Sequence, residues 1–172
     1  MNGGTLGGNG TITTGSNGSV TVASGASLAP GLSAPGTLTL TLGAGQLDMS
    51  AASGGTGWLK FELGTNSDRI LLTSGTLNLG TGLDLDDFSF TNAGAFGIGT
   101  YVLFDTNNAV TANFGTNTTG TMLGFNASLQ LSADGTDLVP NVVPEPNAVV
   151  RLLAGFFSLR GLQRFRRRTR RA

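Results

Sequence analysis

The chain has 172 residues, with 28 Gly and neither Cys nor His. That composition excludes a disulfide framework, a thiol nucleophile, an imidazole base and a zinc site built on nitrogen and sulfur ligands. The formal net charge of zero divides unevenly: residues 1–146 hold ten acids against Lys60 and Arg69, whereas residues 147–172 hold eight Arg and no acid, so the two parts are expected to do different work.

From the start of the chain the texture is short alternating runs broken by Gly, Asn or Ser, without helical periodicity. This predicts many short strands. A motif of Gly, a small hydroxyl residue and an apolar residue returns at Gly4-Thr5-Leu6, Gly10-Thr11-Ile12, Gly18-Ser19-Val20, Gly36-Thr37-Leu38, Gly75-Thr76-Leu77 and Gly120-Thr121-Met122. In Thr37-Leu38-Thr39-Leu40-Thr41-Leu42 every second side chain is Leu, so one face of the strand packs inward and the Thr face stays hydroxylated. Leu59, Phe61 and Leu63 repeat the pattern, and Phe125, Ala127, Leu129 and Leu131 do so again. Gly54-Gly55, Asn107-Asn108 and Asp134-Gly135 are turn signals between such runs.

A degenerate repeat of this kind predicts an all-β chain folded as a single-stack parallel β-helix (β-solenoid), each coil of about 20 residues sharing its core with the next. Thr and Asn are expected to form hydrogen-bonded ladders between coils. An antiparallel β-sandwich is the alternative. The expected domains are a solenoid over residues 1–139, a Pro-rich linker over 140–147 and a C-terminal segment over 148–172. Residues 1–57 contain no aromatic residue, so the aromatic-containing part, 57–139, is expected to be thicker and to close the end of the stack.

Asp84, Asp86 and Asp87 are the densest acidic cluster. Asp84 and Asp86 on one strand face would sit about 7 Å apart, a spacing open to a carboxylate pair or a calcium ligand set. Alternation with Leu83 and Leu85 favours the solvent face of a half-buried strand instead. Lys60, Glu62, Asp68 and Arg69 read as surface charges. No catalytic residue, metal or cofactor is assigned.

Gly25-Ala26-Ser27-Leu28-Ala29-Pro30-Gly31, Pro35-Gly36-Thr37-Leu38-Thr39-Leu40, Leu59-Lys60-Phe61-Glu62-Leu63, Ser67-Asp68-Arg69-Ile70, Gly75-Thr76-Leu77-Asn78-Leu79 and Gly99-Thr100-Tyr101-Val102-Leu103-Phe104-Asp105 together resemble the repeat region of autotransporter-type passenger proteins. The resemblance covers most of residues 18–139 and implies a parallel β-helix displayed outside the cell.

At the other end, Val143, Pro144, Glu145 and Pro146 precede a largely apolar stretch containing Val149, Val150, Leu152, Leu153, Phe156, Phe157, Leu159 and Leu162. A basic cluster of Arg164, Arg166, Arg167, Arg168, Arg170 and Arg171 follows. This order is similar to the PEP-CTERM sorting signal of Gram-negative, exopolysaccharide-producing bacteria. The resemblance implies an exosortase-type processing partner and a hydrophobic helix that anchors the chain transiently in the inner membrane. Proline stiffens the strip before the helix, and the arginines orient the segment with its basic end cytoplasmic. Arg151 and Arg160 interrupt the apolar stretch, which leaves less than the about 20 apolar residues of a full span.

Met1-Asn2-Gly3-Gly4-Thr5 has neither a basic nor an apolar leader region, so an in-frame upstream extension with a signal peptide and further coils is expected. The combined expectation is a non-catalytic, exported surface or extracellular-matrix protein, structural or adhesive. It contacts extracellular polysaccharide through its hydroxylated faces and takes no nucleic-acid partner. The alternative is a carbohydrate-active β-helix enzyme or a glycan-binding module.

Overall fold

The computed structural model describes residues 3–51 and 57–144. The first rung consists of β1 (Gly4–Gly8), β2 (Gly10–Thr13) and β3 (Val20–Thr21), and the second of β4 (Ala26–Pro30) and the long β5 (Thr37–Asp48). β6 (Leu59–Leu63) and β7 (Arg69–Leu83) form the third. A 3₁₀ turn at Leu85–Asp87 then leads into β8 (Phe88–Asn92), β9 (Gly99–Thr100), β10 (Phe104–Thr106) and β11 (Thr111–Phe114). β12 (Thr119–Met122), β13 (Phe125–Leu131) and β14 (Asp137–Val143) end the described chain.

These strands build an all-β solenoid of about three turns. β1, β4, β6 and β8 stack in parallel as one sheet, and β2, β5, β7 and β10 stack in parallel as the core of the other. β3 and β11 extend the second sheet along the far halves of β5 and β7. Parallel pairing throughout the stack rules out the sandwich alternative. Antiparallel pairing is confined to the end, where β14 joins the outer edge of β10 and carries β13 and β12 with it, and to the short β9–β14 contact.

The coils are longer than the expected 20 residues. The step from one rung to the next is 22 residues between Gly4 and Ala26 (26 − 4) and 32 between Leu38 and Ile70 (70 − 38). From Ile70 to Phe104 it is 34 (104 − 70). Each coil must cross the core, turn a corner and run back along the second sheet, so it needs more backbone than one short repeat supplies.

Strand alternation places like residues in columns. Leu6, Leu28, Leu59 and Phe88 stack on the first sheet, and Leu38, Ile70 and Phe104 on the second. The two sheets meet through aromatic rings, Phe61 contacting Phe104 edge-on with centroids 5.8 Å apart, and within the first sheet Phe61 also lies 6.1 Å from Phe88. Phe61 and Phe104 are each 1 % exposed, and burying such a side chain contributes about 1.5–3 kcal/mol. The corners need glycine. Gly75, at φ 92, splits β7 into its two halves, and a Cβ there would press on Gly45 O of the rung before.

The ladders differ from expectation in kind. Thr41 and Thr73 share a hydroxyl hydrogen bond of 2.7 Å, a like-on-like rung. Asn78 Nδ2 donates to the in-register Asp48 Oδ1 at 3.0 Å, whereas two other asparagines reach backbone carbonyls of the neighbouring coil, Asn107 Nδ2 donating to Thr73 O at 3.0 Å and Asn108 Nδ2 to Gly75 O at 2.8 Å. Each coil therefore also braces the next outside the strand ladder.

The aromatic-containing part divides in two: β6, β7, β8, β10 and β11 build rungs, and β12–β14, joined by the short β9, form the end. The expected linker also begins too early, because Pro140 and Val142 are buried within β14, which runs to Val143. Its apolar side packs like any other strand of the cap. The expected hydrophobic helix and Arg cluster, 148–172, lie outside the described residues. Among the described residues no helix is long and apolar enough to cross a membrane.

Candidate functional site

Two acids of the cluster, Asp84 and Asp87, brace the coils, and the cluster is not on a strand. Leu83 ends β7, and Asp84, Asp86 and Asp87 belong to the 3₁₀ turn and its cap. Asp87, expected at the surface, is 2 % exposed. Its Oδ1 accepts from Trp58 Nε1 at 3.2 Å, and its Oδ2 from the Asp84 backbone N–H at 2.9 Å. A buried carboxylate is tolerated because both oxygens find donors. Asp84 turns the other way: its Oδ1 accepts the Asn117 N–H at 2.8 Å, and a Cβ at Gly115 would run into the same carboxylate.

Asp68 departs from its reading as a surface charge. It is 1 % exposed and accepts Gly36 N–H at 2.8 Å and Glu62 N–H at 2.7 Å, tying two rungs together. Burial raises its pKa, an effect the two N–H donors partly offset. Arg69 donates instead to Asp105 on the next rung, Nη1 to Oδ2 at 3.0 Å.

A cleft of about 450 Å³ opens where the cap meets the last strand of the first sheet. Leu85, Phe88, Phe90 and Met122 form its apolar lining together with Leu123 at the hairpin turn, and Asp86, Asn117, Thr119 and Thr121 form its polar lining. The rings of Phe88 and Phe90 lie parallel, 3° apart in plane with centroids at 5.4 Å. Phe90 is half-buried, and the four polar residues are exposed. Asp86 is the one carboxylate lining the cleft among the described residues. Among the described residues no group of three acidic side chains is arranged to hold a metal ion.

Leu123 shapes the mouth from an unusual backbone position. It sits at φ 50, followed by Gly124 at φ 88, in the two-residue turn where Met122 pairs with Phe125. Positive φ at both central positions is the pattern of a type I′ hairpin, normally given to Asn-Gly. Leucine there is a genuine outlier. Sequence reasoning missed the cleft, because nothing local says that β12 returns to the edge of β8; the hydroxylated Thr119-Gly120-Thr121 beside a Leu-Gly turn was the available signal.

Of the sorting residues, Val143 closes β14 opposite Asn126 and is 41 % exposed, and Pro144 is exposed beyond it. Glu145, Pro146, the apolar segment from Val149 to Leu162 and the arginines from Arg164 to Arg171 lie outside the described residues. No protein-family model matches the chain, and no curated protein and no solved structure matches it either.

Proposed function

We propose that the protein is a non-catalytic, exported scaffold of a bacterial cell surface or extracellular matrix, released or re-anchored by processing near its Pro-Glu-Pro motif. The observation that supports this most is the use of its carboxylates. Asp68, Asp84 and Asp87 are occupied by backbone or indole donors that hold the coils together. Groups committed in this way serve stacking rather than proton transfer.

In this reading the solenoid is the displayed part, and its hydroxylated outer faces meet extracellular polysaccharide through many weak hydrogen bonds. Val143, Pro144, Glu145 and Pro146 form the strip that an exosortase-type enzyme grips. Residues 148–162 hold the chain transiently in the inner membrane, and the arginines keep their end cytoplasmic.

The test is the full gene in an exosortase-bearing host, with Pro144 and Pro146 both replaced by Ala. The variant is expected to accumulate uncleaved in the membrane fraction while the parent reaches the surface. Equal export of the two forms would remove the sorting role.

A further inference from the structure

We propose that the cleft between β8 and β12 is a binding site for a neutral oligosaccharide, with a sugar ring seated on Phe90. The inference deepens the display role, on which it rests for the kind of ligand at hand, and adds one shaped site to the contacts of the flat hydroxylated faces.

The chemistry of the lining selects the ligand class. At about 450 Å³ the cleft falls within the range of small-ligand sites, about 300–1,000 Å³. A pyranose offers a C–H face and a rim of hydroxyls, and the cleft offers the counterpart of each. Phe88 is 7 % exposed and fixes the tilt of the half-buried Phe90 by parallel stacking, so an apolar platform is held in one orientation. Asp86, Asn117, Thr119 and Thr121 supply acceptors and donors from the exposed part of the lining.

Charge excludes the main competitors. Neither cation of the described residues lines the cleft: Arg69 pairs with Asp105, and Lys60 lies outside the lining. A phosphate or a uronate would meet Asp86 with no cation of the described residues beside it. The strained turn points the same way, since a leucine kept at positive φ is unfavourable and such positions cluster at ligand clamps. Leu123 places a methyl-bearing side chain at the mouth, where Asn would relax the turn.

Calorimetric titration of the full chain with neutral gluco-, manno- and galacto-oligosaccharides tests the proposal. At least one series is expected to bind with a Kd below about 1 mM, weakened about tenfold or more by Phe90→Ala. Thr121→Arg keeps the core intact and obstructs the exposed rim, so it is expected to weaken binding equally in a protein with unchanged melting. Absence of binding in all three series, or a preference for an anionic oligosaccharide or for an extended peptide added to β8, would overturn the proposal. Binding undiminished in both variants would also overturn it, while leaving polysaccharide contact through the outer faces standing. The sorting reading fails separately, on the processing of Pro144 and Pro146.

Discussion

Asp105 of β10 and Asp137 of β14 stand directly opposite one another across the antiparallel seam that joins the cap to the solenoid. Arg69, one rung below, balances the first of them at 3.0 Å. Two carboxylates in register repel, and the seam depends on a single guanidinium. Asp137→Asn is therefore expected to stabilise the protein by about 0.5 kcal/mol at neutral pH, read as a higher urea midpoint. A lower midpoint would show that the repulsion is already dissipated in solvent.

The same pair gives the acid range a sign. Burial, and then the Asp105 charge, raise the Asp137 pKa above its ordinary 3.8, and burial raises that of Asp68. Between 3.8 and the raised values the folded form holds more protons than the unfolded one, so these groups make stability fall as pH rises through that window. Melting temperatures are expected to show this component reduced in Asp137→Asn, with the Asp68 part remaining. An unchanged pH profile in the variant would contradict the assignment.

Asp68 is expected to be costly to remove. Asp68→Ala leaves the N–H groups of Gly36 and Glu62 without their acceptor inside the stack, a loss of about 3 kcal/mol in chemical denaturation. Asp68→Asn keeps one acceptor oxygen and is expected to fall between the two. If the alanine form unfolds at the parental midpoint, water reaches that corner and the brace is dispensable.

Trp58 is the single tryptophan and donates to the buried Asp87. Trp58→Phe keeps the ring but strands a carboxylate oxygen, with an expected cost of about 2 kcal/mol. Suppression of that cost in the double variant with Asp87→Asn would identify the hydrogen bond, rather than ring volume, as its source.

Ala95 isolates backbone strain from packing, because it is exposed and sits at φ 54. A β-branched residue tolerates that conformation worst, and Asn tolerates it well. Ala95→Val is expected to lower stability by about 1 kcal/mol and Ala95→Asn to raise it slightly. The reverse order in thermal melts would place this loop in another conformation in solution.

Much of the solenoid was legible because its signals are local. The Leu alternation of residues 37–42 became the inward face of β5, and the Gly-hydroxyl-apolar motif opens β1, β5 and the second half of β7. Asp134-Gly135 turns the hairpin between β13 and β14, with Gly135 at φ 73. Coil length was not legible, since it depends on loops at corners whose span only the stacking partner defines. Asp68 and Asp87 read as surface charges because burial of an acid depends on donors from distant rungs, Gly36 for one and Trp58 for the other. The cleft needed β8 and β12, whose first residues are 31 apart in the chain (119 − 88), brought together, and the Leu123-Gly124 turn lacks the Asn that normally announces such a hairpin.

The most direct check of the display role is the C-terminal mass of protein recovered from outside the cell. Processing predicts chains ending close to the Pro144 to Pro146 strip, without the arginine cluster. Extracellular protein that still carries Ala172 would contradict it.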